Sequence, residues 1–212
     1  MVSNDSAAKG GEVRQRILDA AAEVFAECGF GGAGVDAIAR RAGVNKAMLY
    51  YHVGDKAALF GEVVRDNVGR IREAVTAALA ETDAPRERLR AIPRAFAGAV
   101  RRRPFLPQLM LREIAAGGPN LPPEAVEQIS EIMGMTKAVV NEGVAAGVFR
   151  RVDPFIAHLM LIGSLMFMAN ALRMRQRFED LLSIPAEATA DLEAMSDQMV
   201  DIALDGIATK TL

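Results

Sequence analysis

The 212-residue chain is poor in thiols, imidazoles and polar-tipped aromatic rings. It has one cysteine, no tryptophan, two tyrosines and two histidines. A single cysteine, Cys28, excludes an intrachain disulfide framework and fits a reducing compartment. With His52 and His158 far apart in sequence, no catalytic triad or metal cluster assembles from recognisable motifs, and no phosphate-binding glycine loop is present. The expectation is therefore a protein that is not an enzyme and needs no cofactor or metal. Charge of either sign is not in excess. The net charge is −2, and residues 1–56 balance seven Lys/Arg against seven Asp/Glu, so charge alone points to no nucleic-acid surface. Alternating β-branched runs are missing as well, while apolar residues recur at three- and four-residue spacing almost throughout. The fold class expected is all-α.

One stretch, FIAHLMLIGSLMFMANAL (155–172), approaches the length of a membrane span, but His158, Ser164 and Asn170 interrupt it at a cost in hydrocarbon. A helix buried on several sides of a protein without a membrane partner is the reading adopted, and the location expected is cytoplasmic. The polar segment 1–12 has no apolar run of a signal peptide and reads as a disordered lead-in.

Helical spacing places a first helix over about 13–28, with Val13, Ile17, Ala21, Val24, Phe25 and Cys28 in one stripe and glycines 29, 31 and 32 ending it. Cys28 reads there as a small core residue. A short helix follows over 35–42, then Gly43, then another opening at Asn45, whose side-chain oxygen suits an N-cap. Gly54 ends it, and Asp55 caps a helix over about 56–81. Further helices are expected over about 85–102, 104–116, 123–146, 154–178 and 187–209, four of them opening at a proline where a first turn tolerates the missing N–H. The division expected is a helix-turn-helix domain at 13–55 and a larger helical domain at 56–212.

Residues 43–56, GVNKAMLYYHVGDK, hold both tyrosines and one histidine. Two short helices joined through Gly43 match the helix-turn-helix arrangement, in which the second helix enters the major groove. Lys46, Ala47, Tyr50 and Tyr51 share a face, because positions three and four apart are neighbours. Leu49 falls on the other side, toward Ile38, Ala39, Ala42, Val44 and Val53. Phenols and ammonium groups suit phosphate oxygens, and a small Ala47 permits close approach. The competing reading makes both tyrosines core.

The segments RILDAAAEVFAECGF (16–30) and VDAIARRAGVNKAMLYYHVGDKAALF (35–60) resemble the TetR-type bacterial transcriptional repressors. The resemblance implies that Asn45, Lys46, Ala47, Met48 and Tyr50 occupy the recognition helix, with Tyr51, His52 and Lys56 at or near phosphates. Ala33 and Gly34 stand where relatives often carry Thr or Ser, and Asp36 where many have Arg, which removes a hydroxyl contact and a cation. The resemblance also implies a homodimer through the last two helices. Leu192, Met195, Met199, Ile202 and Gly206 supply an apolar seam for that interface, joined by Leu159 on the apolar 154–178 helix, with Val200 and Leu204 on a second face.

Nine of the eleven methionines lie at or after Met110, and methionine suits adaptable apolar pockets. Met110, Met133, His158, Met166, Phe167 and Asn170 are the candidate ligand-binding residues. His158, Ser164 and Asn170 need polar partners, found either across a dimer or in a ligand cavity. The function expected is a homodimeric repressor on a near-palindromic double-stranded operator, released by a small apolar effector. The alternatives are a DNA-binding regulator without such an effector and an all-helical enzyme.

Overall fold

A computed structural model describes residues 3–172 and 192–207, and among these there are helices, turns and loops and no β-strand. Nine helices follow in order: α1 (Ser3–Gly32), α2 (Val35–Ala42), α3 (Lys46–Val53), α4 (Lys56–Leu79), α5 (Pro85–Arg102), α6 (Leu106–Ala115), α7 (Pro123–Ala145), α8 (Pro154–Leu172) and α9 (Leu192–Ile207). The helix α1 begins at Ser3 rather than Val13, so residues expected in a disordered lead-in continue it. Near its other end α1 breaks at Gly29 (φ 70°, ψ 174°), a conformation open to glycine, as the sequence implies.

The chain forms two compact units, one from residues 1–67 with 108–126 and the other from 68–107 with 127–212. The boundary thus falls inside α4, not at Lys56. The reason lies in the first half of α4: Leu59, Phe60 and Val63 are buried with Ile17, Ala21 and Phe25 of α1. Phe25 and Phe30 both meet the Phe60 ring edge-on, at centroid distances of 4.9 and 5.2 Å. Ile38, Ala39, Ala42, Leu49 and Val53 complete this core. Cys28, by contrast, is exposed, because the buried stripe of α1 ends in the preceding turn. In the same unit Arg112 of α6 donates to the Glu27 carbonyl at 2.9 Å.

In the second unit α5, α8 and α9 pack together. Val200 and Leu204 are the buried positions of α9, as is Ser196. Arg94, Arg90 and Arg86 of α5 pair with Asp197, Asp201 and Asp205 of α9, at closest distances of 2.6, 2.7 and 3.7 Å. Numbers falling on one helix as they rise on the other define an antiparallel pair, each ion pair one turn from the next. Arg150 closes the end of α9 by donating from Nε to the Gly206 carbonyl and from its backbone N–H to Ile207.

The helix α8 is the one described helix long and apolar enough to cross a membrane. It is not buried on several sides within one chain. Ala157, His158, Leu161, Ile162, Leu165 and Met166 are buried, whereas Phe155, Ile156, Leu159, Met160 and Phe167 are each at least half exposed. A π-helical turn occupies Leu159–Gly163. Ser164 donates to the Met160 carbonyl and Asn170 Nδ2 to the Met166 carbonyl at 2.9 Å, so these polar groups are satisfied by their own helix. Residues 173–178, expected to continue this helix, and 187–191, expected to open the next, lie outside the described residues.

Candidate nucleic-acid interface

The turn between α2 and α3 is built by local chemistry. Gly43 adopts a left-handed conformation (φ 66°, ψ 35°) and Val44 donates to the Ala39 carbonyl at 3.0 Å, the paired arrangement that satisfies a helix end. Asn45 then caps α3, its Oδ1 accepting from the Met48 N–H at 2.7 Å. That commits the amide oxygen and leaves the Nδ2 donors to face outward partners. Asp55 caps α4 in the same way, accepting from Ala58 N–H at 2.8 Å. The N-cap of α2 is Gly34, with no side-chain hydrogen bond, and Ala33 is buried. The missing hydroxyls therefore leave that helix start uncapped by any side chain.

The short helix α3 is held by two anchors. Leu49 is fully buried and Val53 nearly so, while Lys46, Ala47, Met48, Tyr50 and Tyr51 are exposed. Tyr51 is 86% exposed and Tyr50 44%, which excludes the core reading of these two rings. His52 is half-buried and meets the Tyr51 ring edge-on at 5.3 Å. Two phenols, a thioether and an ammonium thus project from a helix that its own apolar side fixes to the unit.

Both lysines of the candidate interface are engaged within the unit. Lys56 lies 4.8 Å over the centre of the Phe30 ring and donates to the Gly31 carbonyl at 3.4 Å. Lys46 is paired with Asp36 of α2, its Nζ 3.0 Å from Oδ1 and 3.2 Å from Oδ2. The hydrogen bond to Asp36, and then its charge, hold the ammonium above the usual lysine range. Sequence reading marked Asp36 as a lost cation and missed this pairing, which spans two helices. Arg41, also in α2, is occupied by Glu27 at 2.8 and 3.0 Å.

The six candidate ligand residues do not share one site. Met133 and His158 line an open cleft of about 450 Å³ between α7 and α8, with Ser130, Lys137, Asp153 and Phe155. His158 Nδ1 lies 2.9 Å from the Thr136 hydroxyl, and burial lowers its pKa. Met110 belongs to the other compact unit. Met166 is packed in the core, Phe167 is 69% exposed, and Asn170 is tied to its own helix, so none of these three is among the cleft's lining residues. The seam residues Leu192, Met195 and Met199 are half-buried, while Ile202 and Gly206 are exposed, opposite the buried Val200 and Leu204. Leu159 is half exposed. Among the described residues no three His, Cys, Asp or Glu side chains gather as metal ligands would.

Comparison with known proteins gives this arrangement a context. Residues 17–63 match the bacterial regulatory proteins of the tetR family, and residues 82–170 match the tetracyclin repressor-like C-terminal domain. The HTH-type transcriptional repressor NicS of Pseudomonas putida is 28% identical over 200 residues, 92% of each chain. The HTH-type transcriptional activator FasR of Mycolicibacterium smegmatis is 44% identical over 85 residues, 40% of this chain and 39% of that one. Among solved structures, the transcriptional regulator FadR from Bacillus subtilis, in complex with stearoyl-CoA, shares the fold with a TM-score of 0.67 and 21% identity, covering 91% of this chain and 98% of that one. The two matched segments take in the whole helix-turn-helix and most of the second unit, and this chain belongs to the TetR family of DNA-binding transcriptional regulators.

Proposed function

We propose that the protein is a homodimeric, cytoplasmic repressor that binds a near-palindromic duplex through α3. The observation that carries this reading is the outward face of α3: Tyr50 and Tyr51 project into solvent from a helix anchored by Leu49. A protein has no packing reason to expose two phenols beside a lysine, whereas a groove lined with phosphates offers each a partner. Lys46, Ala47, Met48 and Tyr50 face base edges. Tyr51, His52, Lys56 and the Asn45 amide N–H groups meet phosphates.

Dimerisation is supported by the half-exposed or exposed apolar side chains of α8 and α9, Leu159 and Ile202 among them. An isologous pair of such faces would repeat the DNA unit about a two-fold axis, and operator symmetry follows from that. Repression is proposed by likeness to NicS. FasR is named an activator, and expression from the bound promoter with and without the protein distinguishes the two signs of control.

A small apolar effector is proposed to enter the cleft beside Met133 and His158. By linkage it weakens operator binding by the same factor by which operator weakens its own. The helix α4 carries the chain from one compact unit into the other and is the proposed route of coupling. The cleft is open rather than enclosed, which favours a second reading in which DNA binding is not governed by a small molecule. Selection of duplexes from a random library by the full chain tests the DNA reading, and enrichment of a near-palindrome is the expected result. Thermal-shift screening with fatty acyl and other apolar compounds separates the two regulatory readings, since a ligand of the native state raises its melting temperature.

A further inference from the structure

Asp36 is unusual company for a DNA-reading lysine. It stands in the first turn of α2 with a side chain 77% exposed, and both carboxylate oxygens lie within hydrogen-bond distance of Lys46 Nζ, at 3.0 and 3.2 Å. Lys46 is the first residue of α3 and shares its exposed face with Tyr50, one turn on. Such an exposed pair contributes little to folding, because solvent screens it and two side chains are ordered to make it. Its consequence lies in what that face presents to a partner.

We propose that Asp36 is a specificity-determining residue that positions Lys46 and suppresses indiscriminate binding. The inference rests on the reading of α3 as the groove-facing helix. An untethered lysine is a hydrated point charge on a flexible four-carbon stem, and beside DNA it settles on whichever phosphate oxygen is nearest. Such a contact adds affinity for every sequence alike. Held by two carboxylate oxygens, the ammonium occupies one place and keeps N–H capacity for a further acceptor, such as the O6 or N7 of guanine. The carboxylate also cancels the lysine's charge as phosphates see it, and it lies at a helix start that no side chain caps. Sequence-independent attraction is therefore lowered while a correctly placed base acceptor is still rewarded.

The test uses the full-length protein, a duplex enriched by it from a random library, and a scrambled duplex of equal composition. Asp36→Ala is expected to tighten binding to the scrambled duplex about tenfold, with a salt slope steeper by about one. The ratio of affinities, enriched over scrambled, is expected to fall on the order of tenfold. Asp36→Glu, which can still hold the ammonium, should restore most of the ratio. In a Lys46→Ala background, Asp36→Ala should leave the ratio unchanged, since the residue acts through Lys46. An unchanged ratio for Asp36→Ala in the wild-type background overturns the proposal. An equal fall with and without Lys46 also overturns it, by making Asp36 a direct reader of bases. A wild-type protein that enriches no sequence overturns the DNA reading itself, and this inference with it.

Discussion

Tyr51→Phe removes one oxygen from the most exposed ring of α3 and nothing else. The side chain is 86% exposed and its hydroxyl has no packing role, so the change in folding stability should stay within about 0.5 kcal/mol. If the hydroxyl donates to a phosphate oxygen, its loss forfeits a hydrogen bond to a charged group, worth about 1.5–3 kcal/mol. Re-solvation of the phosphate by water lowers the expected loss to the bottom of that range, roughly tenfold in Kd. The salt slope separates this effect from loss of charge. A neutral phenol displaces no counterion, so the slope of log affinity against log salt should not change. Lys56→Ala should reduce that slope by about one. Lys56 also lies over Phe30, so its removal should lower the melting temperature slightly, as loss of an exposed cation–π contact of about 0.5–1 kcal/mol would. Fluorescence anisotropy with a labelled enriched duplex at four salt concentrations, beside thermal melts of each variant, reads all of these. The reasoning fails if Tyr51→Phe lowers the melting temperature by several degrees and leaves affinity unchanged.

Replacing Leu159 and Ile202 together with Glu should convert a micromolar dimer to folded monomers by sedimentation velocity; both side chains are exposed in one chain, so an intact dimer in the double variant contradicts the proposed interface. His158 gives a pH signature. Burial lowers its folded pKa, so between the unfolded value of about 6.5 and the folded one the unfolded chain binds the extra proton. Stability should be level above about pH 7 on this account and fall as pH drops through that window. His158→Gln should remove this part of the slope in denaturant melts, and an unaltered slope refutes the assignment.

What the sequence by itself determined is what short-range chemistry decides. Gly43, Asn45 and Asp55 act on backbone groups a few residues away, so the turn, the α3 cap and the α4 cap were legible residue by residue. The outward face of α3 followed from helical spacing, because a buried Leu49 leaves its neighbours on the other side exposed. The TetR-type motif gave the family, through that same contiguous segment. Other features depend on how helices pack. The Lys46–Asp36 pair joins residues ten apart, Arg112 meets Glu27 across 85, and Arg94 meets Asp197 across 103. No periodicity within one helix encodes which side chains of another will face it. Packing also exposed Cys28, left one face of α8 uncovered, and grouped residues 108–126 with the DNA-binding helices. Met110 for that reason belongs to a different compact unit from Met133 and His158, although all three fit one compositional argument. Hydrophobic character says that a side chain is to be covered; only the tertiary arrangement says by what, because burial is non-directional and each helix can satisfy it against several neighbours.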